Sequence, residues 1–185
     1  MVGSSSAPGR RAVFLDRDGV LVIPEMRDGR SFAPRRLEHF HLYPEAKTAL
    51  DRLRRAGYFL VVVTNQPEVG HGRISRSTLE QMHNRLWREL PIDRIEVCCH
   101  TQADNCTCRK PKPGMLITAA HECGIALKSS FMVGDRASDV AAGCAAGCRT
   151  IFIDLEYVNE PKPKSFAYCA RSIAEAAKII LHDDV

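Results

Sequence analysis

Asp16 and Asp18, separated by Arg17 and followed by Gly19, are the first residues along the chain whose types and spacing could do chemistry. Two carboxylates at i and i+2 can divide the work of a nucleophile and an acid/base. An aspartate that attacks phosphorus splits hydrolysis into two easier steps through an aspartyl phosphate. A second carboxyl can protonate the leaving alcohol and then activate water. Neighbouring carboxylates raise one another's pKa, which suits that second role. Asp135, in Gly134-Asp135-Arg136-Ala137-Ser138-Asp139, adds a third carboxylate. It would complete an oxygen site of the kind Mg²⁺ prefers. Asp139, one helical turn on, would position waters of that ion. Thr64 offers a hydroxyl and nearby backbone N–H groups to phosphate oxygens. Lys110, held before Pro111, is a compact charge for the phosphate and its transition state. Arg109 offers a bidentate fork for a second anion. Phosphate monoesters hydrolyse so slowly that enzymes accelerate them by up to ~10²¹-fold. A site for them needs nucleophile, acid/base, metal and cationic donors together, and each has a named residue here.

A second constellation is Cys98-x-His100, five residues, then Cys106-x-Cys108. Three thiolates and one imidazole suit a closed tetrahedral Zn²⁺ site. Cys98 and Cys99 face opposite ways on a strand, so the register decides which is the first ligand. The ligands lead straight into Arg109-Lys110, so the ion's expected role is to fix that loop. Cys123, Cys144, Cys148 and Cys169 read as small buried apolar residues.

These residues must be brought together by the elements around them. Apolar runs at 12–15, 58–63, 95–99, 131–133 and 150–153 read as buried strands. The first, second and fourth end at Asp16, Thr64 and Gly134-Asp135. Helices are expected from Pro44, with Ala46, Leu50 and Leu53 on one face; after Ser75 or Ser77, through Leu79, Met82, Leu86 and Leu90; and over 115–123, 140–146 and 173–181. Ser77 with Glu80 has capping-box spacing. Residues 20–43 and 66–74 read as loops too short for a lid domain. Alternating strands and helices predict an α/β fold: one Rossmann-like, doubly wound parallel sheet with a zinc-binding loop and no large cap domain. Ligands then sit at the carboxyl ends of the strands, where the motifs fall.

The 185 residues suffice for one domain, expected over 11–185 behind a flexible N-terminal tail at 1–10. A net charge of +4 is compatible with an anionic small molecule and too weak to argue for nucleic acid. A zinc-stabilised nucleic-acid-binding module is the alternative from another class, but aromatics are only 6 % and no basic stripe interleaves with them. No run reaches the ~18 apolar residues of a membrane helix. The Ser/Gly/Pro-rich start lacks a signal-peptide core, so the eight cysteines point to a reducing cytoplasm. No interface stripe is left over, and a monomer acting on a small phosphorylated substrate is expected.

Over about residues 11–160 the chain resembles the haloacid dehalogenase-type phosphatases, whose motifs look like Asp16-x-Asp18, Thr64, Lys110 and Asp135 with Asp139. The resemblance implies Asp16 as nucleophile and Asp18 as acid/base. It implies Thr64 and Lys110 on the phosphoryl group, and Mg²⁺ held by Asp16, the Asp18 carbonyl and Asp135. The zinc loop running into Arg-Lys-Pro resembles the branch that holds the D-glycero-D-manno-heptose 1,7-bisphosphate 7-phosphatases and the histidinol-phosphate phosphatases. Thr64-Asn65-Gln66 and the 108–115 stretch are closer to the former; 134–139 is close to the latter. By that resemblance Arg109 and Arg136 would contact the remote part of the substrate, and Asn65 and Gln66 would line the pocket. Cys99 in place of proline, Pro67-Glu68-Val69 after Thr-Asn-Gln, and the arginine-rich 24–36 stretch depart from the pattern and leave a related sugar phosphate open.

Overall fold

A computed structural model describes residues 9–183. Residues 1–8 of the expected tail lie outside the described residues. Arg10 is already tied to the body, donating to the Gly124 carbonyl at 2.8 Å.

The chain runs β1 (Ala12–Leu15), β2 (Glu25–Arg27), β3 (Arg30–Phe32), α1 (Ala46–Arg55), β4 (Phe59–Asn65), α2 (Pro67–Gly70), α3 (Arg76–Glu89), β5 (Arg94–Cys98), α4 (Gly114–Cys123), β6 (Phe131–Gly134), α5 (Ala137–Ala146), β7 (Arg149–Ile153), β8 (Tyr168–Ala170) and α6 (Ile173–His182). Six strands form one parallel sheet in the order β5-β4-β1-β6-β7-β8. Period-2 alternation splits its residues between two cores. Val13, Leu15, Leu60, Val62 and Val133 pack with α1, α3 and α6. Ala12, Phe14, Val61, Val63 and Met132 pack with α4 and α5. Both faces are covered, as the continuous apolar runs require.

From β1 the chain winds out to β4 and β5, then returns to the other side of β1 with β6. The order therefore reverses at the carboxyl end of β1, where Asp16 sits. That switch point is where open α/β sheets bind ligands.

Several local expectations are corrected. Residues 20–43 are not all loop: β2 and β3 form an antiparallel hairpin. Asp28 and Gly29 turn it with φ of 49° and 70°, and Asp-Gly is the pair a two-residue hairpin turn favours. Pro44 lies in the turn before α1, not in its first turn. Ser75, not Ser77, caps α3, accepting from the Thr78 N–H at 2.9 Å. The 66–74 loop contains α2. β8 was not anticipated, because three residues with a single buried one leave no periodic signal.

Candidate active site

Asp16, Thr64, Lys110, Asp135 and Asp139 are buried polar residues grouped at the switch point. The carboxylates of Asp16, Asp135 and Asp139 place one oxygen each within 4.8 Å of the others. Three buried anions at that spacing need cations. One is Lys110, whose ammonium has three donors and three acceptors around it. It pairs with Asp16 Oδ1 at 2.8 Å and Asp139 Oδ1 at 2.7 Å, and donates to the Val63 carbonyl at 2.8 Å. Burial would lower the lysine's pKa, but the charges of Asp139 and Asp16 outweigh it and hold the group above its ordinary value.

One cation does not neutralise three carboxylates. Burial, then the charges of Asp16 and Asp139, raise Asp135 well above the usual carboxylate range. Burial and Asp16 raise Asp139 to about 6, against the pull of Lys110. Asp135 Oδ1 is buried without a hydrogen-bond partner among the described residues. An all-oxygen donor set with net negative charge and an orphaned carboxylate oxygen fits Mg²⁺. Asp139 Oδ1 meets Lys110, and its Oδ2 accepts from the Arg136 N–H at 3.0 Å, capping α5.

Gly19 lets the chain turn tightly beneath this cluster. Its φ is +88°, and a Cβ there would stand 2.1 Å from Asp135 Oδ2. Only glycine meets both conditions.

Asp18 lines the cleft but is not part of the three-carboxylate group. Arg17, fully buried, forks onto it through Nε at 3.1 Å and Nη2 at 2.9 Å. The Arg17 guanidinium stacks 5.3 Å from the Phe40 ring centroid. Gln66 donates from Nε2 to Asp18 Oδ2 and to Thr64 Oγ1, both at 2.8 Å. Gln66 has no exposed surface, so the expectation that it lines the pocket is corrected. Its amide lies behind the wall, bridging Thr64 to Asp18. Because Thr64 Oγ1 accepts there, its own O–H is left to donate elsewhere.

Asn65 does reach the cleft, yet both ends of its amide clamp the Lys110 backbone, each at 3.1 Å. The cleft has a volume of about 730 Å³, within the range of small-molecule sites. Besides the carboxylate–lysine group and Asp18, its lining carries Arg30, Arg109, Lys112 and Arg136 against Glu68 and Glu160, an excess of positive charge. Arg136 is a weaker match to the expected substrate contact. Its guanidinium donates to the carbonyl and hydroxyl of Ser31 and pairs with Glu160 at 3.2 Å. Sequence reasoning missed Arg17, Ser31, Arg30 and Tyr157. For Ser31 and Arg30, the Asp28-Gly29 hairpin signal was available; for Arg17 and Tyr157 the position in space carries the information.

Beside the cleft, Cys98, His100, Cys106 and Cys108 converge. Five of their pairwise ligand-atom distances lie between 3.2 and 3.6 Å. Four ligands around one tetrahedral zinc stand about 3.3–3.8 Å apart. Cys98 is the member of the group from β5; Cys99 lies outside it. Burial, then the Cys108 thiol, pushes the Cys98 thiol up to about 12, so an ion entering there displaces a proton. The cluster packs against the smaller core through Cys98, Cys106 and Cys108, so it is built into the cleft wall and does not stand apart as a binding module.

No helix among the described residues is long and apolar enough to cross a membrane. Comparison with known proteins agrees with the geometry. A family described as HAD-hydrolase-like matches residues 107–176. The D-glycero-beta-D-manno-heptose-1,7-bisphosphate 7-phosphatase of Pasteurella multocida (strain Pm70) is 34% identical over 184 residues, 92% of this chain and 97% of that protein. The enzyme of the same name from Helicobacter pylori (strain ATCC 700392 / 26695) is 35% identical, covering 86% of this chain and 91% of its own. The crystal structure of a D,D-heptose 1,7-bisphosphate phosphatase from B. bronchiseptica, complexed with magnesium and phosphate, superposes with a TM-score of 0.81 at 26% identity, covering 94% of this chain and 99% of that one. The carboxylate–lysine cluster at the switch point and the near full-length identity to these enzymes agree: the chain is a phosphatase of the haloacid dehalogenase-like family and belongs with the D-glycero-beta-D-manno-heptose-1,7-bisphosphate 7-phosphatases.

Proposed function

We propose that this protein hydrolyses the 7-phosphate of D-glycero-D-manno-heptose 1,7-bisphosphate, with Asp16 as nucleophile. The buried Asp16–Lys110–Asp139 arrangement carries the reading. Lys110 holds Asp16 by one oxygen and leaves the other free for an in-line attack on phosphorus. Thr64 receives a phosphoryl oxygen, and the Lys110 ammonium, whose donors go to Asp16, Asp139 and the Val63 carbonyl, acts on the phosphoryl group through its charge. Asp18 gives its proton to the departing alkoxide, then takes one from the water that cleaves the aspartyl phosphate. When bound at Asp16, Asp135 and the Asp18 carbonyl, Mg²⁺ supplies neutralising charge to the phosphoryl oxygens. Arg109 and Arg30, which both line the cleft, suit a second phosphate at the far end of the substrate. The names of the relatives and the excess of positive charge in the cleft lining support the bisphosphate. The eight free cysteines suit a cytoplasmic setting.

The test is phosphate release with Mg²⁺ from the α and β heptose 1,7-bisphosphates, histidinol phosphate and simple sugar monophosphates. We expect kcat/KM for one heptose anomer to exceed that of the monophosphates by about 100-fold or more, since a paired second phosphate contributes on the order of 3 kcal/mol. A preference for histidinol phosphate would transfer the same chemistry to that substrate and refute the bisphosphate assignment.

The Cys/His cluster is assigned a structural Zn²⁺. Stripping it with a chelator should lower the melting temperature and reduce activity more than helix content, because the ligands flank Arg109 and Lys110. Metal-free protein, verified by elemental analysis, with unchanged kinetics and melting would refute the assignment.

A further inference from the structure

The stretch between β7 and β8 carries none of the phosphatase motifs, yet it runs across the site. The Tyr157 hydroxyl donates to Asp135 Oδ2 at 2.8 Å. The other oxygen of that carboxylate, Oδ1, is buried and unpartnered among the described residues. Two residues on, Asn159 fastens the stretch to the β2–β3 hairpin. Its Nδ2 donates to the Asp28 carbonyl at 2.8 Å and its N–H to the Gly29 carbonyl at 3.2 Å. Glu160 then pairs with Arg136 at the start of α5, and Arg136 donates to the Ser31 hydroxyl at 2.7 Å. Residues 157–160 thus join the carboxylate after β6, the head of α5 and the hairpin.

A carboxylate that holds a cation must be fixed in rotation about its side-chain bonds. A hydrogen-bond donor on one oxygen does this and leaves the other oxygen to the ion. Such outer partners of metal ligands typically contribute 10–100-fold to metal affinity. A Cβ at Gly19 would stand 2.1 Å from the same Oδ2, so glycine backbone lies close to the oxygen that the tyrosine hydroxyl holds. We propose that Tyr157 is a positioning residue for the cation site: it fixes Asp135 through Oδ2, leaves Oδ1 for Mg²⁺, and is itself held in register by the Asn159–hairpin clip. The proposal rests on the assignment of Asp135 to Mg²⁺.

The experiment uses the full chain and Mg²⁺ alone, with no substrate. Mg²⁺ affinity is measured by calorimetry for wild type, Tyr157→Phe, Asn159→Ala and Asp135→Asn. Tyr157→Phe keeps the ring and removes one donor. Its Mg²⁺ Kd should rise about 10-fold, and high Mg²⁺ should restore most of the lost turnover. Asn159→Ala keeps the hydroxyl but frees the stretch, and should raise the Kd by a smaller factor in the same direction. It is the second route should Tyr157→Phe fail to fold. A Kd unchanged in both variants overturns the proposal. A turnover loss in Tyr157→Phe that is equal at all Mg²⁺ concentrations also overturns it, since a merely structural tyrosine would behave that way. Asp135→Asn separates the two levels. If it binds Mg²⁺ like wild type, the metal assignment falls and takes the Tyr157 proposal with it. If it loses binding while Tyr157→Phe does not, only the proposal falls.

Discussion

Replacing Asp16 with Asn should reduce phosphate release by about 10⁴-fold or more, as loss of a covalent nucleophile does elsewhere, while the protein melts at the same or a higher temperature. The two halves of this result come from one piece of geometry. Asn keeps the shape of the side chain and an oxygen for Lys110, which stands 2.8 Å away. It cannot form an acyl phosphate. Removing the Asp16 charge also relieves Asp135 and Asp139, both of which it pushes upward. Phosphate release and a thermal melt at pH 7.5 check both halves. Activity within tenfold of wild type would remove Asp16 from the nucleophile's role; a large drop in melting temperature would mean that its charge is needed to balance Lys110.

Lys110→Met should be the more destabilising change. Breaking a buried ion pair by removing one partner costs about 3–5 kcal/mol, because the remaining charge stays buried. Here two carboxylates lose their partner at once, and the Val63 carbonyl loses its donor. Turnover should fall at least about 10³-fold through loss of the cation facing the phosphoryl group. The stability loss should depend on pH. Asp139 holds its proton up to about 6 in the folded protein, above the unfolded value of 3.8. A raised carboxylate binds more protons folded than unfolded, so its contribution to stability falls as pH rises through that window. Without Lys110 its folded pKa rises further, and the window extends upward through neutrality. The gap in melting temperature between variant and wild type should therefore be widest near pH 8 and narrow toward pH 5. A gap that is constant from pH 5 to pH 8 would mean that the loss comes from packing and not from charge.

What the sequence made legible follows from where each kind of information resides. Asp16, Thr64 and Asp135 could be placed because each ends a buried apolar run, and strand ends in a parallel sheet share one rim. Lys110 was legible through its neighbours, Arg109 and Pro111. Cys98 could be separated from Cys99 only once β5 had a register, since a shift of one residue exchanges their faces. Gln66 was misplaced because adjacency to Thr64 does not say which way an amide turns; here it turns inward, where the Asp18 carboxylate and the Thr64 hydroxyl both accept from it. Tyr157 stands 22 residues from Asp135 in a stretch without periodicity, and only the fold reveals the contact. The β2–β3 hairpin was hidden by its shortness and exposure, although Asp28-Gly29 marked its turn.

The position of β1 has a consequence for how the protein comes into being. Among the described residues β1 precedes every other strand, yet it is an inner strand of the sheet, and its second neighbour is far away: Val13 pairs with Phe131. During translation β1, β4 and β5 can assemble early, but the other flank of β1 stays open until β6 has left the ribosome. Such long-range parallel pairing is slow, and an unpaired inner strand is prone to aggregate. Asp16 and Thr64 belong to the early half and Asp135 to the late one, so catalysis exists only after the two halves have closed. The recovery of turnover during refolding therefore reports the union of β1 with β6, a step that helix content alone would miss.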